Sequence, residues 1–234
     1  MVREAVILAG GLGTRLRAIS GDVPKPLVLF KGKPFLYWLI KGLVEHGVER
    51  IILSCNYKID EFNFFVQNYS FGADVCVVGD ADYSGTGGAI LSVLSGIEED
   101  FVVVNGDTLF DFSILERDFR RTTIFCSKVA DNERYGGIEV SNNGFCSSVD
   151  SPGSLLVSMG VVFLSKSKLT ALMPDFARSR SFDLYGGLLN AMLERGELID
   201  VVVSETEFLD FGTVESYKSL HSDAVLSKWA GFFE

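Results

Sequence analysis

Ala5-Val6-Ile7-Leu8-Ala9 runs directly into Gly10-Gly11-Leu12-Gly13-Thr14-Arg15-Leu16, and Pro24-Lys25-Pro26 follows shortly after. The five opening residues are apolar and partly β-branched, the pattern of a short buried strand. Gly10, Gly11 and Gly13 then give φ freedom and let a ligand approach the main chain closely. Backbone N–H groups in such a turn form an anion-binding concavity. Arg15 can hydrogen-bond two phosphate oxygens at once, and Lys25 adds a compact mobile charge. The stretch therefore predicts a triphosphate site at the end of the first strand. It fits no standard fingerprint: Gly-x-x-x-x-Gly-Lys-Ser/Thr is absent, and Gly11-x-Gly13-x-x-Leu16 lacks a third glycine. Taken alone, it also reads as a plain turn between strand and helix with two surface cations.

Working outward, Phe35 to Gly47 has helical apolar spacing with a glycine stop, and Arg50 to Asn56 reads as a second buried strand. Helix at Ile59 to Asn68, strand at Ala73 to Gly79, helix at Gly88 to Ile97 entered through Ser84 to Gly88, and strand at Phe101 to Val104 continue the alternation. Such alternation predicts an α/β chain: a Rossmann-like, mostly parallel sheet with helices on both faces and ligands beyond the carboxyl ends of its strands. Beyond Asp107, Thr123 to Val129, Gly137 to Val140 and Val161 to Leu164 read as strands, with turns at Asn142-Asn143-Gly144 and Ser151-Pro152-Gly153. They suggest a small mixed or antiparallel extension. A helix from about Asp183 to Arg195, a strand at Asp200 to Ser204 and a helix at Val214 to Leu226 close the pattern.

A chain of 234 residues with 47% hydrophobic and 22% charged residues, and no linker-like tract, fits a single domain over 1–234. Its first half, about 1–110, would bind nucleotide and its second, about 111–234, the other substrate. No apolar run approaches the ~20 residues that cross a bilayer, and the N-terminal run is too short for a signal peptide, so a cytoplasmic protein with no membrane partner is expected. Cys55, Cys76, Cys126 and Cys146 form no Cys-x-x-Cys pair and read as small core residues. A net charge of −10 argues against a nucleic-acid partner. Residues 1–34 nevertheless carry +4, from Arg3, Arg15, Arg17, Lys25, Lys31 and Lys33 against Glu4 and Asp22. That count suits either a local island for a charged anion or a solvated basic face.

Asp107 follows the strand Phe-Val-Val-Val-Asn-Gly, so its carboxylate belongs on the same sheet edge as the glycine turn. Asp210 lies between apolar residues just before Gly212-Thr213. Two carboxylates from different strand ends can hold Mg²⁺, which keeps waters and takes phosphate oxygens as further ligands. The other readings are a turn residue for Asp107 and a cap on the final helix for Asp210. His46 and His221, the two histidines, both read as helix positions, and no Gly-x-Ser-x-Gly occurs, so serine hydrolase chemistry has little support.

The ordered set Leu8–Leu16, Pro24-Lys25-Pro26, Gly85-Thr86-Gly87-Gly88-Ala89, Val104-Asn105-Gly106-Asp107, Arg134-Tyr135-Gly136 and Leu209-Asp210-Phe211-Gly212-Thr213 resembles the sugar-1-phosphate nucleotidyltransferases over nearly the whole chain. Gly32-Lys33-Pro34-Phe35-Leu36, and a chain without a hexapeptide-repeat extension, are most similar to the short members that use GTP and a heptose 1-phosphate. The resemblance implies the nucleotidyltransferase fold and an Mg²⁺-dependent transfer of a nucleoside monophosphate from NTP, best GTP, to a sugar 1-phosphate for surface polysaccharide synthesis. It implies catalytic roles for Arg15, Lys25 and Asp107, with Asp107 and Asp210 holding the metal. Nucleotide binding would fall to Leu8, Ala9, Gly10, Gly11, Gly13, Thr14, Gly85, Thr86 and Gly87, and sugar binding to Tyr135, Gly136, Asp150 and Gly160.

The sequence departs from that family in one place. Many relatives place a lysine after an acidic residue ahead of a turn, to hold the sugar phosphate. Here the stretch is Ser148-Val149-Asp150-Ser151-Pro152-Gly153, and the lysine is absent. Lys25, the metal or a distant residue such as Lys128 would then take that phosphate. The departure keeps open a catalytically silent nucleotide-binding regulator and an enzyme with another acceptor, such as phosphocholine. Trp229, Phe232 and Phe233 form an apolar C-terminal group that either packs on its own domain or makes a homodimer contact.

Overall fold

A computed structural model describes residues 1–11, 13–79, 85–132, 136–176, 182–206, 208–222 and 229–233. The strands, in chain order, are β1 (Glu4–Leu8), β2 (Leu29–Phe30), β3 (Lys33–Pro34), β4 (Arg50–Ser54), β5 (Asp74–Val78), β6 (Phe101–Asn105) and β7 (Thr108–Leu109). They continue with β8 (Thr123–Lys128), β9 (Ile138–Val140), β10 (Cys146–Val149), β11 (Leu156–Leu164), β12 (Asp200–Val203) and β13 (Leu209–Asp210). The helices are α1 (Arg17–Ser20), α2 (Phe35–Glu45), α3 (Ile59–Asn68), α4 (Gly85–Val93), α5 (Lys166–Phe176), α6 (Asn190–Glu194) and α7 (Val214–Leu220).

Seven strands make one sheet in the order β12-β8-β11-β6-β1-β4-β5. β6, β1, β4 and β5 run parallel; β11 is antiparallel to β6 and to β8, and β12 pairs parallel with β8. The expected extension is therefore largely the other flank of the same sheet, with the small antiparallel ladders β9–β10, β7–β13 and β2–β3 added to it. Unbroken apolar runs in the inner strands follow from burial of both faces. Ala5, Ile7, Ile51, Leu53, Val102 and Val104 pack with α2 on one face; Val6, Ile52, Phe101 and Val103 pack with α4 and α5 on the other.

Three expectations are corrected. Gly85 to Gly88 form the first turn of α4 rather than a loop leading to it. The expected helix from Asp183 begins as a π-helical stretch, Leu184–Leu189, whose N-cap Asp183 accepts from Gly186 N at 2.7 Å. The last helix closes at Leu220, with His221 as C-cap, while residues 223–228 lie outside the described set. Trp229, Phe232 and Phe233 pack on their own chain: the Phe233 ring lies 5.0 Å from Phe30 and 5.2 Å from Trp38. Cys55, Cys126 and Cys146 are buried free thiols and Cys76 is half-buried, with burial pushing Cys126 up to about 12. No described helix is long and apolar enough to cross a membrane.

Candidate active site

The carboxyl ends of β4, β1 and β6 meet on one sheet edge, where Leu8 pairs with Ser54 on one side and with Asn105 on the other. A cleft of about 440 Å³ opens there. Leu8, Ala9, Gly10, Gly11 and Gly13 contribute to its lining from the loop after β1, Arg15 and Lys25 bring the charge, and Gly85 and Thr86 approach from the start of α4. Thr14 sits in the one-turn helix after the glycine loop.

Two glycines make this convergence possible. Gly13 has φ of +58°, and a Cβ there would lie 3.1 Å from Lys25 Cβ. Gly106 donates to Leu8 O at 3.0 Å, and its Cβ would sit 3.0 Å from that oxygen and 3.2 Å from Pro26 Cγ. Side chains at either position would push the lysine turn away from the sheet. Lys25 instead comes down on Asp107: its Nζ pairs with Asp107 Oδ2, the two side chains being 12% and 25% exposed, and lies 5.4 Å from the Phe211 ring centre.

Asp107 and Asp210 are joined by the β7–β13 ladder, in which Asp210 opposes Thr108 and Phe211 N donates to Asp107 O at 3.2 Å. Both carboxylates line a second cleft of about 150 Å³ together with Arg15, Asn105, Ser158 and Gly160. Asp210 does not cap the last helix. Thr213 does, in a capping box with Ser216, and Asp210 accepts from Gly212 N instead.

The acceptor-side residues divide. Gly160 stands in a bulge of β11 with φ of +73°, and a Cβ there would fall 2.6 Å from Asn105 Nδ2. Asp150, at φ of +57°, aims its carboxylate between Gly136 and Gly186, where Cβ atoms would crowd it. Burial first, then the nearby Asp183 carboxylate, pushes Asp150 above the usual carboxylate range, against a backbone N–H of Gly186. Tyr185 is half-buried, its hydroxyl bonded to Ser158 Oγ and its ionisation pushed up by desolvation. Neither Asp150 nor Gly136 lines either cleft. Tyr135 lies outside the described residues.

Gly87 also turns away from the cleft: a Cβ there would lie 2.6 Å from Asp183 O, and its N–H donates to Phe182 O at 3.1 Å. The glycine run of α4 thus receives the chain at 182–184 as well as bordering the cleft. Lys128 is exposed at the end of β8 and lines neither cleft. The basic island of the sequence disperses in space. Arg3 pairs with Glu49, Arg17 with Asp22, and Lys33 lies over Tyr37 and Tyr69, leaving Arg15 and Lys25 at the clefts. Sequence reasoning assigned nothing to Ser54, Asn56, Asn105 or Ser158, which also line them. For Ser54 and Asn105 the available signal was a small polar residue ending an otherwise apolar strand.

The family model described as "Nucleotidyl transferase" matches residues 4–225. The D-glycero-α-D-manno-heptose 1-phosphate guanylyltransferase of Campylobacter jejuni is 28% identical over 92% of this chain and 96% of its own. The crystal structure of HddC from Yersinia pseudotuberculosis superposes with a TM-score of 0.78 at 32% identity, covering 93% of this chain and 97% of that one. An inositol-1-phosphate CTP transferase from T. maritima shares the fold, with a TM-score of 0.84 at 23% identity over 100% of this chain and 97% of its own. The matched region runs from β1 through β13 and α7, and the chain belongs to the nucleotidyl transferase family.

Proposed function

We propose that the chain transfers GMP from GTP to D-glycero-α-D-manno-heptose 1-phosphate, giving GDP-heptose and pyrophosphate, with Mg²⁺ as cofactor. The observation that carries this reading is the end-to-end similarity to heptose 1-phosphate guanylyltransferases of two organisms, over 92% and 94% of the chain. The two clefts support it: residues 1–110, proposed to serve the nucleotide, line the larger one apart from Gly212, while in the smaller one Arg15, Asn105, Asp107 and Thr108 join residues of 111–234, proposed to serve the acceptor.

An acceptor phosphate oxygen attacks the α-phosphorus of GTP, the bond from that phosphorus to the bridging β-oxygen breaks, and pyrophosphate leaves with the electron pair. The attacking oxygen is already ionised, so no general base is required. Bringing two anions together and stabilising the leaving group are the tasks. The main-chain N–H groups of Gly10, Gly11 and Gly13 cradle phosphates, Arg15 neutralises the leaving pyrophosphate, and Lys25 serves the α-phosphate after releasing Asp107. Lining both clefts, Arg15 is also placed to meet the acceptor phosphate in the absence of the family lysine.

Among the described residues no three His, Cys, Asp or Glu side chains converge. A divalent ion held by Asp107 and Asp210 would complete its shell with water and phosphate, the all-oxygen set that suits Mg²⁺. Bound there, the ion would neutralise phosphate charge. Asp150, with Gly136 leaving room beside it, would accept hydrogen bonds from sugar hydroxyls.

The test is pyrophosphate release with Mg²⁺, crossing five NTPs with heptose, mannose and glucose 1-phosphates and identifying products by mass. Selective turnover of GTP with the heptose phosphate is expected; selective turnover of another pair rejects the substrate assignment, and silence across the panel rejects the activity.

A further inference from the structure

Among the described residues, two buried side-chain oxygens, Ser54 Oγ and Thr122 Oγ1, have no hydrogen-bond partner. Thr122 lies just ahead of β8 and lines no described cleft. Ser54 is different: it is 1% exposed, ends β4 and lines the larger cleft. Its carbonyl accepts from Ala9 N at 2.9 Å, so its main chain is tied into the sheet while its hydroxyl is left over. A buried hydroxyl without a partner is a standing cost to the free protein, removed when a ligand supplies the missing bond.

The position narrows what that ligand offers. Asp107, Arg15 and Lys25 gather the charge of the cleft, and Asp107 leaves β6. Ser54 leaves β4, two strands away in the order β6-β1-β4, a lateral offset of roughly 10 Å. Leu8, which pairs with Ser54 across the ladder, and Thr86 and Ala89, which share the cleft lining, are uncharged. A nucleoside triphosphate with its phosphates at the charged end brings an uncharged, hydrogen-bonding group to the other. We propose that Ser54 is a base-reading residue, its hydroxyl hydrogen-bonding the polar edge of the nucleobase. The inference rests on the nucleotide site proposed above.

Titration calorimetry on wild type and Ser54→Ala, with GTP and with inorganic tripolyphosphate, tests it. The variant is expected to bind GTP about 5- to 30-fold more weakly, the loss of roughly one hydrogen bond, and tripolyphosphate within about twofold of wild type. The melting temperature of the free variant should hold or rise, because the orphaned oxygen is gone. Unchanged GTP affinity, or equal loss for both ligands, overturns the role, as does a lowered melting temperature with unchanged GTP binding. Wild type is first ranked against five NTPs. Preference for another NTP rejects the guanine assignment alone, and Ser54 is then tested with that NTP; binding of none rejects both.

Discussion

The end proposed for the nucleotide and the end proposed for the acceptor are built in opposite ways. At the nucleotide end, three parallel strands stop together, and the loop after β1 and the start of α4 present main chain. At the other end, the antiparallel strand β11 bulges at Gly160 and carries Ser158, whose Oγ bonds the Tyr185 hydroxyl, while Asp150 stands outside both clefts. Main chain held by a ladder keeps its place whatever side chains surround it, which suits the proposed triphosphate. Side chains on a bulge are easily exchanged, which suits the part that distinguishes one acceptor from another.

The contrast can be broken most severely where the two ends share residues. Asp107→Asn and Asp210→Asn are each expected to lower kcat/KM by about 10³ or more with the far-ultraviolet spectrum unchanged, since both carboxylates line the smaller cleft. Near-normal turnover in both would remove them from the chemistry. Arg15→Ala should cost about 10²- to 10³-fold in kcat/KM, the usual loss for one charge-stabilising donor. A larger rise in acceptor KM than in GTP KM would assign it to the sugar phosphate.

Gly160→Ala sharpens the comparison. A side chain at φ of +73° would press on Asn105, so destabilisation of about 1–3 kcal/mol is expected in urea unfolding, with acceptor KM raised and GTP affinity kept within about twofold. Equal damage to both substrates would show that the ends are not separable.

Asp150→Asn gives the smallest effect. Because the folded protein raises this carboxyl above its ordinary value, its stability contribution is present in acid and lost as pH rises through the raised value. The variant should therefore melt slightly higher near pH 7, with the gain shrinking toward pH 4. A lower melting temperature at both would reverse the sign.

Much of this was readable in the chain because the inner strands obey local rules. β1, β4 and β6 are continuous apolar runs buried on two faces, and glycine or a polar residue marks where each ends. That sufficed to put Arg15, Lys25 and Asp107 on one edge. The ladder β7–β13 was not legible: each of its strands has two residues, too few for a period, and their pairing spans a hundred positions. The helix α5 was missed because it opens on the polar Lys166-Ser167-Lys168 and carries Pro174 near its end, leaving too short an apolar stretch to show a period. The destination of Gly87 was equally hidden, since its crowding comes from Phe182 and Asp183, nearly a hundred residues on. The lack of a lysine after Asp150 was plain in the sequence, but only geometry shows Arg15 reaching both clefts.

The ladder also sets an order of events during synthesis. The glycine loop, Lys25 and Asp107 have all left the ribosome while Leu209 and Asp210 are still to be translated. A chain that stops short of β13 lacks the strand that sets Asp210 beside Thr108 and Asp107. The proposed carboxylate pair is thus complete only with the last strand, which ties the second carboxylate to the end of synthesis.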